Sequence, residues 1–489
     1  MQSVRQANER AVFAVLCLGV FAYGILQSLV FPVVPTLQRA LDTSESQVTW
    51  VLTANLVSAA IATPLLGRYG DLVGKKRTFV VALAGLALGS LVAAPASSLS
   101  VVIVGRAIQG IGGATVPLAF GLIRDEFPPE KVAGAIGVMS ALVAVGSGTG
   151  IVLGGLIIHA LNYHWLFWIP LIVTTVATIA AVAVIPESPV RSGGRLNLFA
   201  GVLLSGWLVL LLLAVSEAPD WGWGSASVIG LACAAVGLFV MWVRAEARSA
   251  NPLIDMRMMR LRAVWTTNLS TFLFGAGYIS ALVYVPEFVQ EPTSTGYGFG
   301  ASVSESGVMA LPLTVTAFLF GMLTGRLATR LGSKNVAIAG TAISAATFVL
   351  IAFVHGQKFD IYLEMAAMGV GFGLAASALA NLIVAAVPLE QTGVASGMNA
   401  NIRTIGGAIG SAIASSVIVL GASGGVPKES GFVNAFAMLS AIGFLAVVVA
   451  FFVPRVRRDP ATHREPGVEL RHPELATVVG GTLVGDGLE

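Results

Sequence analysis

The most informative polar residues in the sequence are a charged side chain and an amide set among apolar residues. Four residues follow i, i+3, i+4, i+7 spacing: Arg106, Gln109, Gly110 and Gly113. On a helix this spacing places them on one face. A charge inside an apolar run is costly and is usually retained for function with a polar partner, so we expect Arg106 to point into an interior site. The alternative is that Arg106 lies shallowly and snorkels to a membrane surface.

Carboxylates, the usual proton carriers in a low-dielectric interior, are distributed unevenly along the chain. The first six apolar runs contain no Asp or Glu. Further along, Glu287 and Glu291 stand near the end of one run, and Glu364 near the start of another. Glu287, which follows Pro286, is the best candidate for protonation, and the alternative is that it is an exposed interfacial residue. Glu364 is a second candidate.

Several other polar groups are candidates for a ligand pocket, because polar and aromatic side chains on apolar helices suit one, although each is more often part of helix packing. They are Gln27, Trp50, Asn55, Gln109, Asn268, Tyr278 and Asn381. Arg403 is a possible second interior charge, and we group it with Arg106, Glu287 and Glu364 as candidates for proton coupling.

Other kinds of chemistry have no signature in the sequence. We find no G-x-x-x-x-G-K-[ST] loop, no metal-ligand cluster and no nucleophile with a base, so a primary pump or membrane enzyme ranks last and we expect no cofactor and no metal. Cys17 and Cys233 fall inside apolar runs, where a thiol behaves as a small hydrophobe. His463 and His472 are interpreted as solvated surface residues.

The composition indicates a protein dissolved in lipid. Hydrophobic residues make up 56% of the chain and charged residues only 11%, whereas a soluble domain has about a quarter. A spanning helix needs about 20 mostly apolar residues. Fourteen runs satisfy this: 12–33, 47–67, 78–97, 101–123, 133–158, 165–186, 196–216, 225–243, 264–289, 303–325, 335–354, 361–386, 394–420 and 432–453. The first is predicted to be a retained helix rather than a signal peptide.

The basic residues predict the orientation of these spans. With fourteen crossings, 23 of the 28 Lys and Arg residues lie on the side of the termini, three on the other side and two within spans. Cytoplasmic loops keep the positive charge, so both termini are predicted to be cytoplasmic in a multi-pass protein of the cell membrane. The net charge of +3 therefore reflects topology and not nucleic-acid binding.

The chain contains an internal repeat. Residues 67–76 read GRYGDLVGKK and residues 325–334 read GRLATRLGSK, each with outer glycines seven apart. The copies occupy equivalent places in two groups of six spans, as expected of parallel repeats whose substrate site lies between the halves. Candidate gating residues are Gly67, Asp71, Gly74, Lys75, Lys76, Arg326 and Arg330. Thr329 stands where the first copy has Asp71, so we expect an asymmetric latch.

The match of residues 67–76 to G-x-x-x-D-x-x-G-[RK]-[RK], with the repeat and the 6+2+6 count, resembles the major facilitator superfamily, in particular its fourteen-helix drug:proton antiporter branch. This resemblance implies an all-α integral membrane protein with the major facilitator fold and two pseudo-symmetric bundles. The implied organisation is 1–190, a six-helix bundle; 191–250, two linker helices; 251–455, a second bundle; and 456–489, a flexible cytoplasmic tail.

Further motifs of that branch are present with two departures. The run 105–113 is similar to the fourth-helix motif, whose arginine is associated with proton coupling, and the segment around Arg403 is similar to the eleventh-helix segment. Gly146, Gly150, Gly154 and Gly155 match G-x-x-x-G-P-x-x-G-G, but Ile151 replaces the proline, so a packing ridge is an equally good interpretation. Leu26 replaces the aspartate typical of the first helix.

Two functions remain open at this point, with a membrane-embedded enzyme or sensor as the weakest third. The first is a proton-coupled exporter of lipophilic or amphiphilic small molecules, driven by the proton gradient through rocker-switch alternating access. The second is a transporter of the same fold that moves lipid or another amphiphile with weak or no proton coupling, which the missing carboxylates of the first six spans favour. In either case we expect a monomer in contact with membrane lipids.

Overall fold

A computed structural model of the chain describes residues 2–30, 33–43, 45–188, 197–249, 252–420 and 427–454. These residues form fourteen long helices, and no strand occurs among them. The helices are α1 Gln2–Ser28, α2 Glu45–Val73, α3 Lys75–Ala93, α4 Leu99–Glu126, α5 Pro129–Ala160, α6 Trp165–Val184, α7 Leu198–Trp221, α8 Ala226–Arg248, α9 Arg262–Gln290, α10 Val303–Leu331, α11 Ser333–Phe353, α12 Lys358–Ala386, α13 Thr392–Leu420 and α14 Glu429–Phe451. The predicted tail 456–489 lies outside the described residues.

Each of the fourteen helices is long and apolar enough to cross a membrane, which confirms the predicted all-α membrane fold and its number of spans. The glycine-rich runs form the single helices α5 and α13. One span is less regular than expected, because Gly110–Ala114 of α4 forms a 3-10 segment between the helices Leu99–Gln109 and Thr115–Glu126. Short additional helices occur at Val34–Ala40 and Met256–Arg260.

Two helices of the first bundle, α2 and α4, continue at their C-terminal ends beyond the apolar runs predicted from the sequence. α2 extends to Val73 and α4 to Glu126, whereas the windows stop at residues 67 and 123. Asp71 and Asp125 therefore belong to helices of the first bundle. The prediction that its spans carry no carboxylate was wrong at these ends, because helical hydrogen bonding continues past the last apolar residue.

The outward surface is apolar, as a lipid-facing surface must be. Val202 of α7 and Ile179 of α6, for example, are 69% and 64% exposed. Buried apolar residues form one core in α1 and α3–α6, which Ala380 and Val384 of α12 join, and a second core within α9–α14. We call α1–α6 the first bundle, α7 and α8 the middle pair, and α9–α14 the second bundle.

The two bundles meet along two lines of contact, α2 against α13 and α5 against α10. The middle pair lies beside the first line only: Leu204 and Trp207 of α7 share a buried apolar cluster with Ala60 of α2 and Val394 of α13. α8 packs mainly on α7.

Candidate functional site

The candidate site begins at the connection between α2 and α3, on the membrane face that we call the basic face. Asp71, which is 0% exposed, accepts hydrogen bonds from the backbone amides of Gly393 at 3.2 Å and Val394 at 3.0 Å. These amides belong to the first turn of α13, where the helix dipole favours a negative charge. A carboxylate of the first bundle thus binds the start of a helix in the second.

Lys75 completes this arrangement from the first turn of α3. Its Nζ lies 2.7 Å from Oδ2 of Asp125 and 3.8 Å from Oδ1 of Asp71, with all three side chains fully buried. The same Nζ donates to the carbonyl of Leu389 in the connection between α12 and α13, at 3.4 Å. Ser188 also donates to Asp125. One cation therefore neutralises two buried carboxylates and reaches the other bundle.

Arg124 adds a second link between the bundles at the end of α4. Its guanidinium donates to the carbonyl of Val387 at 2.7 Å, to that of Pro388 at 3.4 Å and to the hydroxyl of Thr392 at 2.8 Å. These acceptors surround the start of α13. Because all of these bonds are polar, they can break and re-form without a change of fold.

Three further hydrogen bonds join the bundles between this face and the middle of the helices. Asn381 Nδ2 donates to the carbonyl of Ala133 at 3.2 Å, and Ser377 Oγ donates to that of Gly137 at 3.4 Å. Asn401 Nδ2 donates to the carbonyl of Ala60 at 2.6 Å. The conformation described here is thus closed at the basic face.

The remaining predicted gating residues have different surroundings. A Cβ on Gly67 would lie 2.8 Å from the carbonyl oxygen of Gly393, so this glycine permits the close approach of α13. Gly74 has φ +134, a conformation that side chains rarely adopt. Lys76 is half-buried, whereas Arg326 and Arg330 of the second repeat are exposed.

Arg106 lies deep inside the first bundle and is 1% exposed. Its Nε donates to the carbonyl of Val51 at 3.0 Å, and its Nη1 donates to Oε1 of Gln109 at 2.9 Å and to the carbonyl of Leu26 at 3.5 Å. Gln109 in turn donates to Ser90 Oγ at 2.8 Å. Arg106 is therefore interior, as the spacing predicts, and its hydrogen bonds end on protein groups of α1, α2 and α4.

The glycines on the same stretch of α4 face α2. A Cβ on Gly110 would meet Ser58, and one on Gly113 would lie 2.7 Å from the hydroxyl of Thr63. They allow α4 to approach α2 closely, so that the carbonyl of Val51 comes within reach of Arg106.

The residues predicted to line a pocket fall into two groups. Asn55, Gln109, Asn268 and Asn381 are buried and hydrogen-bonded to other protein groups, with Asn55 donating to the carbonyl of Arg106 at 3.1 Å and Asn268 accepting from Asn399 at 2.9 Å. Gln27 and Tyr278 are half-buried, and Trp50 is exposed. Their part in substrate binding stays a prediction.

Arg403 of α13 differs from Arg106 in its surroundings. It is half-buried, and among the described residues no hydrogen bond or ion pair involves its guanidinium. Its positive charge acts on the phenols of Tyr23 in α1 and Tyr278 in α9. Gly275 packs against the backbone of Arg403, which holds α13 close to α9. Arg403 thus stands near side chains of both bundles.

The predicted carboxylates lie toward the opposite membrane face. Glu287 and Glu291 line a cavity of about 260 Å³ with Val283, Pro286, Gln290 and Pro292. Glu364 of α12 is 3% exposed, and neither of its carboxylate oxygens has a hydrogen-bond partner among the described residues. The structure does not bring these carboxylates together with Arg106. Within the described chain no group of three or more potential metal ligands occurs.

The glycines of α5 form a contact with α1. A Cβ on Gly146 would lie 2.8 Å from the carbonyl oxygen of Phe21, and one on Gly150 would meet Ser28. Gly154 is buried. Gly155 takes no part in this close contact, since a Cβ there meets nothing within 4 Å.

Sequence reasoning missed Asp125, Arg124 and Tyr23. Asp125 and Arg124 lie just past an apolar run and were interpreted only as part of a loop, although two charges that directly follow a span at the same face as a basic cluster were an available signal. Tyr23 had none, because a single aromatic residue in an apolar helix is ordinary.

Comparison with known proteins places this geometry in context. The family model described as Major Facilitator Superfamily matches residues 16–411 and 267–484. The tetracenomycin C resistance and export protein of Streptomyces glaucescens is 28% identical over 402 residues, which cover 81% of this chain and 74% of the relative. The multidrug transporter protein MdtP of Bacillus subtilis is 28% identical over 371 residues, or 75% of this chain and 67% of MdtP.

A third relative is longer than this chain. The uncharacterized MFS-type transporter Rv1877 of Mycobacterium tuberculosis is 28% identical over 422 residues, 83% of this chain, but the match spans only 59% of Rv1877. Among solved structures, the human organic anion transporter MFSD10 superposes with a TM-score of 0.67 at 19% identity, covering 90% of this chain and 99% of MFSD10. At this identity the similarity concerns the fold.

Proposed function

Because the chain belongs to the major facilitator superfamily, whose members are transporters and not enzymes, we propose that it exports lipophilic or amphiphilic small molecules, such as drug-like compounds, across the cell membrane. Two relatives support the substrate class, since one is named for tetracenomycin C export and the other as a multidrug transporter.

The observation that carries this proposal is the polar closure at the basic face. Three side chains of the first bundle contact the start of α13. Lys75 and Arg124 bind the connection that precedes this helix, and Asp71 binds its first turn. A buried ionic contact adds little net stability over apolar packing of the same volume. Such a contact suits an interface that must open, and it supports alternating access by rocking of one bundle against the other.

The proposal includes coupling to protons. Glu364 is buried without a hydrogen-bond partner among the described residues, and Glu287 lines a cavity at the opposite face. An ionisable group inside a membrane protein with no fixed partner is a candidate for carrying a proton. The energy source is then the proton gradient, with no cofactor.

The proposed topology has both termini in the cytoplasm. It is supported by 23 of the 28 Lys and Arg residues, which fall on the side of the termini when fourteen helices cross the membrane. The basic face is then cytoplasmic, and the described conformation is closed toward the cytoplasm.

The second candidate, transport of lipid or another amphiphile with weak or no proton coupling, is favoured by one observation. In the described part of the first bundle, the carboxylates within α2 and α4 lie at the helix ends, where Lys75 already binds Asp71 and Asp125. The middle of that bundle offers no described proton carrier.

Transport by the full-length protein in liposomes with an imposed pH gradient tests the proposal. The panel contains neutral, cationic and anionic amphiphiles and a fluorescent phospholipid. We expect accumulation of a drug-like compound to follow the gradient, and Glu364→Gln or Glu287→Gln to abolish the coupled proton flux. The matched control is Glu305→Gln, whose carboxylate forms an exposed pair with Lys358.

The outcomes separate the candidates. Transport that ignores the pH gradient, or that is confined to the phospholipid, supports the second candidate. If no compound is transported with or without the pH gradient, export by this protein is refuted.

A further inference from the structure

The interior of the transporter contains an arginine, Arg403, whose positive charge is not neutralised by any of the described residues. Arg403 is half-buried and makes no hydrogen bond or ion pair with any described residue. None of its side-chain nitrogen atoms is fully buried without a partner, so these atoms face open space and are not sealed by packing. By contrast, Arg106 is 1% exposed and has three protein acceptors.

Two phenols share this space with Arg403. Gly275 packs against the backbone of Arg403, and Tyr278 lies one turn beyond Gly275 on the same helix. The guanidinium is also within electrostatic range of Tyr278 and of Tyr23 in the first bundle. Among the described residues neither hydroxyl has a hydrogen-bond partner, and both tyrosines are half-buried. The five guanidinium N–H groups of Arg403 and the two phenolic O–H groups thus have no acceptor among the described residues.

The acidic residues of the second bundle are too distant to be that acceptor. Glu287 lies nine residues beyond Tyr278 along α9, which is about 13 Å at 1.5 Å per residue. Glu364 lies eight residues before Phe372 along α12, or about 12 Å.

An aromatic wall adjoins the charged group. The rings of Tyr278 and Phe372 are 4.9 Å apart in edge-to-face geometry, and Phe274 lies 5.5 Å from Phe372. Phe274 and Phe372 are buried, whereas Tyr278 is half-buried. Aromatic surface beside a few convergent polar groups is the usual composition of a small-molecule site.

We propose that Arg403 binds the negatively charged group of the transported substrate, with Tyr23 and Tyr278 as additional donors. The substrate class is an amphiphilic organic anion, with a carboxylate or similar oxyanion beside an aromatic or otherwise apolar body. This inference rests on the proposed transport function and gives it a charge preference. The planar guanidinium can bind a carboxylate through two parallel hydrogen bonds, which an ammonium group cannot do.

Three probes that share one ring system and differ in charge test the proposal: naphthalene-1-acetate, naphthalene-1-acetamide and 2-(naphthalen-1-yl)ethylammonium. Binding to the full-length protein in phosphatidylcholine nanodiscs is measured by calorimetry, with empty nanodiscs as background. We expect the acetate to bind at least about tenfold more tightly than the amide, since hydrogen bonds to a charged group are about twice as strong as neutral ones.

Variants assign the preference to Arg403. Arg403→Gln is expected to weaken acetate binding by about ten- to a hundredfold and amide binding by only a few fold, with Arg403→Lys in between. Arg257→Gln, which removes an exposed arginine outside the bundles, is the matched control and should change neither. Unliganded Arg403→Gln should melt at the wild-type temperature, because the native side chain has no described partner to lose.

The source of the anion is distinguished by adding phosphatidylglycerol to the nanodiscs. Competition with the acetate that disappears in Arg403→Gln supports an anionic lipid as substrate, and no competition supports a free amphiphile. The proposal is overturned if the amide or ammonium probe binds as tightly as the acetate, if the acetate does not bind, or if Arg403→Gln weakens all probes equally. Export of cationic or neutral compounds in the liposome assay would then leave the proposed function standing without this preference.

Discussion

The two copies of the repeated loop, 67–76 and 325–334, share their outer glycines but differ at the positions of Asp71 and Lys75, where the second copy has Thr329 and Ser333. Gly67 touches Gly393 and Gly325 touches Gly134, so in each copy the first glycine meets the opposite bundle. Gly74 and Gly332 both have positive φ, at +134 and +82. Asp71 and Lys75, however, are buried in ionic contacts, while Thr329 is exposed and Ser333 is half-buried.

This difference separates two tasks that the motif performs. The glycines allow close approach and a sharp turn, which both halves of a symmetric fold need. If the bundles rock as proposed, one set of charges is enough to hold them together, because both lines of contact then open and close in one rigid movement. The predictions below test whether the first copy alone carries the electrostatic task.

The largest effect is expected from Lys75→Met, which leaves Asp71 and Asp125 buried without their cation. Loss of one partner of a buried ion pair costs about 3–5 kcal/mol. We expect a clear fall in the melting temperature of the purified protein. Lys334→Met is the matched control in the second copy, where Nζ makes one exposed bond to the carbonyl of Phe451, and it should melt near the wild type. Equal losses would show that the copies are equivalent.

Alanine at the first glycine should disturb both copies by a similar, smaller amount. A Cβ on Gly67 would lie 2.8 Å from the Gly393 carbonyl oxygen, and one on Gly325 would collide with the backbone of Gly134. Overpacking of this kind costs about 1–3 kcal/mol. Thermal melting of both variants is the measurement. Gly134→Ala is the control, because its Cβ would meet nothing within 4 Å. A loss in only one copy would contradict a shared steric task.

Asp71→Asn should loosen the basic face with little effect on folding. The amide can accept from one of the two α13 amides but not both, so about 1 kcal/mol of closed-state preference is lost, a factor of about five in population. Cysteine placed at Ser377 in a Cys17→Ser, Cys233→Ser background reports opening, because Ser377 is buried against Gly137 in the closed state. We expect faster labelling by a membrane-impermeant thiol reagent. Unchanged labelling would argue against the latch.

The smallest effect is expected when the missing carboxylate is restored. Thr329→Asp gives the second copy the residue that the first has, but position 329 is exposed and the new side chain has no buried partner there. Surface substitutions of this kind usually change stability by no more than about 0.5 kcal/mol. Melting temperature and cysteine labelling should both match the wild type. Tighter closure in this variant would show that a carboxylate alone is enough to give the second copy a latch.

The helices of this protein were largely predictable from sequence, because fourteen apolar runs of membrane length leave few other folds. The ends were less predictable: Asp125 was assigned to a loop because the apolar run stops at Ile123, while backbone hydrogen bonding continues to Glu126. The 3-10 segment Gly110–Ala114 also had no signal, since glycine-rich runs occur in regular helices as well.

The candidate site was predictable in its residue types and not in its contacts. Arg106 and Arg403 were grouped together because each is a charge in an apolar helix. Only tertiary structure shows that the carbonyls of Val51 and Leu26 satisfy Arg106, whereas Arg403 faces open space. Backbone carbonyls are present at every position of every sequence, so a pattern of side chains cannot reveal which arginine will find them.

The position of the middle pair beside α2 and α13 affects how these two helices can move relative to each other. α7 lies across that seam through apolar side chains, including Leu204 and Trp207. Dispersion contacts have no preferred register along a helix, so α2 and α13 can shift beneath α7 while it stays in contact with both. The other seam, between α5 and α10, has no such cover among the described helices. One side of the interface between the bundles is thus covered by α7 and the other is uncovered. If the bundles move as proposed, acyl chains of the bilayer reach the moving interface from the α5–α10 side only.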